Sequence, residues 1–293
     1  MTRQSLDKVS TLTRQSRDKM VKATRQNGQK GQNGHAKVSK VQKVQSKNKI
    51  TKDKTMNNYP INYRITFFIK GNDFNIGKRY DEYAAMFSEK YQCNVEREYI
   101  PLILPNMILR QMVATFTNTS RGISVKIQEG RVDINIQKTS GQVLSGLREK
   151  IVELLDIYTQ IFNGRNDLVM YRVACCSTYL FDGDEEELNK CYKKIVNDFG
   201  EDSPIEWTIQ RISRIYEYGE LFPTPITNNT LIKRLNFKGR FEENAHNRIL
   251  AEIDLNSFPQ DVSFDPETII RFFTEMPNQE EKIYTSIQRK LLQ

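Results

Sequence analysis

The sequence predicts an α+β body of two subdomains in β-α-β-β-β-α order, each an antiparallel sheet with helices on one face, preceded by a disordered basic tail. All 29 aromatic residues lie after residue 55. The first 55 residues carry 15 Lys or Arg against 3 Asp, a net charge of +12, whereas residues 56–293 carry 29 against 33 Asp or Glu, a net charge of −4. Only the second part can build a hydrophobic core, and strand-like and helix-like patterns occur there in two successive runs of similar order.

The tail contains an 11-residue repeat, in which Thr-Arg-Gln returns at positions 2–4, 13–15 and 24–26. An apolar repeat of that length favours a right-handed supercoil, but apolar residues are too few here, and Gly28, Gly31 and Gly34 disfavour a helix. Low hydrophobicity with charge of mostly one sign does not compensate for the chain entropy lost on folding. We therefore predict that residues 1–55 are disordered.

The tail is a candidate for sequence-independent nucleic-acid binding, because Lys and Arg displace counterions from phosphates. No aromatic residue lies among its charges, so base stacking is not expected. One alternative is a dispensable extension, with Met56 as the effective start of the protein. A transit peptide is a third option, which the Gln, Gly and Asn content and the lack of an amphipathic face disfavour. The candidate contacts are Arg3, Arg14, Arg17, Lys19, Lys22, Arg25, Lys30, Lys37, Lys40, Lys43, Lys47 and Lys49.

The first predicted subdomain covers residues 56–165. Its clearest part is a three-stranded meander, in which apolar and polar residues alternate and Glu129-Gly130 suits a tight hairpin turn. A long helix follows, with apolar residues every three or four positions. In order, the predicted elements are a strand at 61–70, a helix at 79–90, an irregular or edge segment around 101–105, strands at 112–117, 123–128 and 132–137, and a helix at 142–163.

The second predicted subdomain covers residues 166–293 and repeats the same order of elements. Its strands are indicated by alternation, and its helices by apolar spacing of three and four residues. In order, the predicted elements are a strand at 168–181, a helix at 182–198, strands at 205–209, 231–237 and 249–255, and closing helices at 266–274 and 279–292.

Several classes of protein are disfavoured by the sequence. No apolar run approaches the roughly 18 residues that span a bilayer, and no apolar segment near the N-terminus indicates a signal peptide. The four cysteines, Cys93, Cys175, Cys176 and Cys191, contain no CxxC pair, which favours free thiols in the cytoplasm. We predict no metal and no cofactor.

Two polar features of the body receive structural interpretations. His246 is the only histidine after the tail, and we interpret it as a solvated loop residue. The acidic run at 182–187 lacks the glycine and the distal glutamate of a calcium loop. We interpret its carboxylates as part of the first turn of a helix, where they interact favourably with the unpaired backbone N–H groups and with the positive end of the helix dipole.

The strand with Arg131, Asp133 and Asn135 is the best candidate for chemistry. A metal-dependent nuclease could place carboxylates on such a strand. However, Gln137 and Lys138 are adjacent and face opposite sides, so the expected Glu/Gln-x-Lys arrangement is missing. We predict a solvated sheet face with an Arg131–Asp133 ion pair.

The leading hypothesis is a cytoplasmic, non-enzymatic interaction or accessory protein, in a nucleic-acid, mobile-element or host-defence setting. The tail associates with nucleic acid, the α+β body binds a protein partner, no membrane is involved, and homo-oligomerisation is left open. The alternative is a nuclease-like enzyme that depends on a divalent metal, with carboxylates such as Asp133 and Asp182 supplied by distant segments. No catalytic residue is assigned.

Overall fold

A nine-stranded antiparallel sheet organises the part of the chain that the computed structural model describes. The described residues are 56–70, 76–104, 107–163, 168–195, 204–217, 222, 225–238, 244–259 and 263–292. The predicted tail, its repeat and its twelve candidate nucleic-acid residues lie outside them. The mixed α+β class predicted from the sequence is confirmed.

Strands and helices follow one another along the described ranges in much the order that the periodicity predicts, with one further strand, β2, where the sequence predicts an irregular or edge segment around residues 101–105. The strands are β1 (Asn57–Ile69), β2 (Asn94–Leu104), β3 (Met107–Asn118), β4 (Ile123–Gln128), β5 (Arg131–Gln137), β6 (Met170–Asp182), β7 (Trp207–Ile215), β8 (Ile226–Phe237) and β9 (His246–Ser257). The helices are α1 (Ile76–Tyr91), α2 (Leu147–Phe162), α3 (Glu185–Ile195) and α4 (Pro266–Leu292). None of the helices within these ranges is long and apolar enough to cross a membrane.

The strands lie side by side in the order β2-β3-β4-β5-β1-β6-β9-β8-β7. Strand β1 is central: Phe67 lies opposite Val132 of β5 on one side and opposite Val173 of β6 on the other. The two antiparallel sheets predicted from the sequence are therefore joined into one. The junction is the β1–β6 pair.

The core lies between one face of this sheet and the four helices of the described part. Phe67 packs against Tyr158 and Phe162 of α2 and Phe273 of α4, with ring centroids 4.8, 5.4 and 5.4 Å away. At the α1 end, Phe87 is stacked on Phe116 of β3. Burying a side chain such as Phe67 completely contributes roughly 2–3 kcal/mol. In the described ranges, the opposite face of the sheet carries no helix.

Two glycines with positive φ close the turns of the β3–β4–β5 meander. Gln128 and Arg131 face each other across the predicted Glu129-Gly130 turn, where Gly130 has φ +71°, so this hairpin is confirmed. Gly122 also has φ +71°, and a Cβ atom there would lie 2.1 Å from the carbonyl oxygen of Gln137. Only glycine fits at Gly122, because both the backbone conformation and the space exclude a side chain.

All four helices of the described part differ from their predictions. Helix α1 begins at Ile76 rather than at residue 79, and α3 begins at Glu185 rather than at residue 182, because Asp182 is the last residue of β6. Helix α2 begins at Leu147 rather than at residue 142, because Gly146 is in an extended conformation at the N-cap. The two predicted closing helices form the single helix α4, which continues through Pro277. Their apolar residues share one buried side from Ile269 to Leu291, and burial along that whole side outweighs the hydrogen bond that proline removes.

Candidate binding face of the sheet

The helix-free face of the sheet is the candidate functional site. On β1 the residues Arg64, Thr66 and Phe68 alternate with Ile65 and Phe67, which pack under the helices. Successive strand residues point to opposite faces, so the first three lie on the open side. We call the central part of this side the open face. It comprises Thr66, Phe68, Arg131, Asp133, Arg172 and Asn256.

Asp133 is the most firmly held side chain of the open face. Arg131 donates from Nε to Oδ2 at 2.8 Å and from Nη2 to Oδ1 at 2.9 Å. Thr66 Oγ1 donates to the same Oδ1 from the neighbouring strand at 2.7 Å. The predicted same-face ion pair is therefore confirmed, but the prediction of a solvated face is wrong at this point, because Asp133 and Thr66 are buried. The two parallel bonds to a buried carboxylate make the pair stronger than an exposed one.

Phe68 lies between two guanidinium groups at the centre of the open face. The Cζ atoms of Arg131 and Arg172 lie 5.4 and 5.0 Å from its ring centroid. Arg172 Nη2 in turn donates to Asn256 Oδ1 of β9 at 2.9 Å. These contacts connect β5, β1, β6 and β9, a width of roughly 14 Å at the usual strand spacing. The result is a fixed surface of arginine, aromatic and amide groups.

The cysteines do not contribute a nucleophile to this surface. All four lie within the described ranges, are buried and form no disulfide, as predicted. Cys176 is the one beside Arg64 on the open side, and burial raises its pKa to about 12 although the Arg64 charge lowers it. A buried thiol with a raised pKa remains protonated at neutral pH and reacts poorly.

The acidic run contains the start of helix α3, but only Glu185, Glu186 and Glu187 of its carboxylates lie in the first turn. The backbone N–H of Glu187 donates to Asp184 Oδ1 at 3.0 Å, and the backbone N–H of Asp184 donates to Glu187 Oε2 at 2.9 Å. This reciprocal arrangement is a capping box that satisfies two N–H groups at the helix start. Asp182 is not part of it, and its Oδ1 lies 3.5 Å from Arg248 Nε.

The carboxylates of the nuclease alternative are not brought together. Asp133 is opposite Thr66, Thr66 is opposite Ala174, and Asp182 is eight residues further along β6. At the rise of a strand, that is roughly 26 Å, which no single metal ion can bridge. Within the described residues, no group of three His, Cys, Asp or Glu could hold a metal ion.

The remaining singled-out residues have ordinary structural positions. His246 is exposed at the first position of β9, opposite Phe237, rather than in the loop predicted before the strand. Its place at a strand end still leaves the ring in solvent. Lys138 holds its ammonium group 3.9 Å from the ring centroid of Tyr59, so it packs locally and does not reach Asp133 as a nuclease lysine would.

One buried polar site escapes the sequence interpretation. Glu280 of α4 is only 5 % exposed and accepts a hydrogen bond from the Tyr179 hydroxyl. Tyr284 stacks on that tyrosine with centroids 3.7 Å apart. Burial raises the pKa of Glu280 to about 7. The spacing of residues in the sequence could have indicated this position. Glu280 is four residues after Met276 and seven before Ile287, which places it on the apolar side of the helix.

No protein-family model matches the chain, and no curated protein matches it. The functional interpretation therefore rests on the residues of the open face and on the composition of the sequence.

Proposed function

We propose that the protein is a non-enzymatic binding protein. Its α+β body binds a protein partner, and its basic N-terminal segment associates with nucleic acid without sequence preference. The observation that carries the proposal is the asymmetry of the sheet. Helices cover one face, whereas the open face holds arginine and aromatic side chains in fixed positions.

The chemistry of the open face supports binding rather than bond cleavage. Arginine and aromatic residues are enriched where protein interfaces are strongest. Arg131 and Arg172 are already immobilised by Asp133 and Asn256, so little side-chain entropy is lost when a partner binds. The carboxylate oxygens of Asp133 already accept hydrogen bonds from Arg131 and Thr66, so they are poorly placed to bind a metal ion or to activate water.

The charge division supports nucleic-acid association through the N-terminal segment. Residues 1–55 carry 15 basic against 3 acidic residues, whereas the body has more acidic than basic residues. A polyanion is therefore attracted to the segment far more than to the body, and the attraction falls as salt rises.

We also propose that the body consists of two halves of related design, residues 56–165 and 166–293. Each half begins with a central strand, β1 or β6, followed by a helix. Each then has a meander that runs from the outer edge of the sheet back to that strand, and a closing helix. The shared path supports the proposal, although the first half has one more strand within the described ranges.

The nucleic-acid part is tested by fluorescence anisotropy with labelled DNA and RNA, using full-length protein and a full-length variant with the twelve basic tail residues changed to Gln. We expect wild-type binding that weakens steeply with salt, and loss of binding in the variant. Equal binding by the two proteins would contradict this part.

The partner-binding part is tested by affinity capture from the native host with Arg131→Ala/Arg172→Ala. The matched control, Arg289→Ala, removes an exposed guanidinium on the helix side. We expect the double variant to lose a partner that wild type and control retain. If the purified protein instead cleaves nucleic acid with Mg²⁺, and Asp133→Asn abolishes cleavage, the nuclease alternative replaces the proposal.

A further inference from the structure

Strand β7 is an edge of the sheet, and we propose that it pairs with β7 of a second copy of this chain. Within the described residues its one strand neighbour is β8. Ile212, in the middle of β7, is 66 % exposed. An apolar side chain on an accessible edge invites pairing with another strand. The exposed residues of β7 are Thr208, Gln210, Arg211, Ile212 and Arg214.

The opposite edge of the sheet has features that disfavour such pairing. Strand β2 contains Pro101, which lacks an N–H group, and it exposes Glu96, Arg97 and Glu98 in succession. Proline and consecutive charges are the usual protection of an edge strand. Strand β7 contains no proline and has Ile212 between its two arginines. Association through β7 therefore stops at a dimer, because the outer edges of that dimer are both β2.

The arrangement of the sheet also leaves room at β7. In the described part, five strands run outward from the centre on one side, β1-β5-β4-β3-β2, and four on the other, β6-β9-β8-β7. A strand added next to β7 would give the second half the width of the first. In a symmetric pair, each copy supplies that strand to the other.

The sequence of β7 is complementary to itself in one register. When two antiparallel copies keep the same face outward, residues opposite each other must share that face. Centring the pair on Ile212 places this residue opposite its own copy on the open side. On the helix side, Ile209 then faces Ile215 of the second copy. Arg211 faces Ser213 and Arg214 faces Gln210, so no like charges are directly opposite.

Neighbouring registers are worse on the same criteria. Centring on Arg211 places two guanidinium groups directly opposite each other, which is destabilising. Centring on Gln210 pairs Ile212 with Thr208 and Arg211 with Ile209, so both isoleucines lose their apolar partners. The dimer still brings four arginines near one axis, so we expect salt to strengthen it, opposite to its effect on nucleic-acid binding.

Engineered disulfides in the full chain test the register. The native cysteines are buried and give no background. Ile212→Cys places two thiols on directly opposite residues, with Cα atoms about 4.5–5.5 Å apart, within disulfide range. The matched control is Gln210→Cys on the same face. Its two copies lie four residues apart along the pair, roughly 13 Å, too far for a disulfide. Mild oxidation with copper–phenanthroline and a non-reducing gel are the readout.

We expect a cross-linked dimer for Ile212→Cys, increasing with protein and NaCl concentration, and a monomer for Gln210→Cys. If both cysteine variants stay monomeric, or if both form the cross-linked dimer to the same extent, the proposal is overturned. Sedimentation equilibrium gives a second measure without new thiols. Wild type is expected to self-associate, and Ile212→Arg to lose this while keeping its circular dichroism spectrum.

Wild type that stays monomeric at its highest soluble concentration, or an Ile212→Arg variant that still dimerises, also overturns the inference. The inference does not rest on the function proposed above. A monomer that still binds nucleic acid and captures a partner through the open face would refute the β7 dimer alone.

Discussion

The carboxyl group of Glu280 should make the folded protein less stable as the pH rises. Burial beneath the sheet, beside Tyr179 and Tyr284, raises its pKa from 4.5 to about 7. The folded chain therefore holds this proton more tightly than the unfolded chain. The resulting stabilisation is complete below about pH 4.5 and is lost as the pH rises through 7. The gap between the two pKa values corresponds to roughly 3 kcal/mol.

Glu280→Gln removes the titration while keeping an oxygen that can accept the Tyr179 hydrogen bond. We expect its free energy of unfolding, relative to wild type, to rise by roughly 3 kcal/mol between about pH 5 and pH 8. Urea unfolding followed by circular dichroism at several pH values measures this. The control is Glu267→Gln, which removes a carboxylate that is 68 % exposed in the first turn of the same helix. Its effect should not vary over that range.

A difference in stability between Glu280→Gln and wild type that is the same at all these pH values would refute the raised pKa of Glu280. A variant that gains stability toward acid rather than toward base would refute it as well. The first result would mean that Glu280 is hydrated in the folded protein, and the second would mean that the folded protein stabilises its ionised form.

Two further substitutions test local geometry by urea unfolding. Gly122→Ala should lower the free energy of unfolding by more than about 2 kcal/mol, because its Cβ atom would meet the Gln137 carbonyl oxygen. Gly141 has a similar φ of +72° but open space around it, so Gly141→Ala should lower the free energy of unfolding by only about 1 kcal/mol. Equal losses would show that the backbone near Gly122 can move aside. Asp184→Ala should cost about 1 kcal/mol through loss of the helix cap, and Asp184→Asn should restore most of it. A fully stable alanine variant would contradict the capping role.

Local patterns in the sequence predict the parts of the fold that depend on neighbouring residues. The β4–β5 hairpin follows from alternation and from Gly130, and both ends of the turn are opposite each other as expected. Joining the two halves into one sheet does not follow from such patterns. Alternation says which side of β1 is buried, but the pairing of Phe67 with Val173 is a long-range choice between edges that look alike.

Helix α4 shows how tertiary packing overrides a local signal. Pro277 predicts a break, yet the apolar positions before and after it fall on the same side of one helix. The same spacing places Glu280 among buried residues. A carboxylate normally indicates a solvent-facing position. The charge of Glu280 therefore predicts exposure, although its spacing from the apolar residues predicts burial.

The candidate site was predictable only within a single strand. Arg131 and Asp133 are two residues apart on β5, so their shared face follows from the geometry of a strand. Thr66, Phe68 and Arg172 come from two other strands, and their contacts depend on the register of β1 against β5 and β6. No sequence pattern fixes that register, and the Phe68 contacts with two arginines were therefore missed.

The central position of β1 has a consequence for synthesis of the chain. β1 is made first, its β5 partner next, and its β6 partner only after α2 is complete. A nascent chain that ends after α2 can pair one side of β1 with β5, while the backbone hydrogen-bonding groups on the other side of β1 remain unpaired until β6 is synthesised. A product cut between α2 and β6 would keep that long edge unprotected, and we expect it to precipitate rather than persist as an independent half.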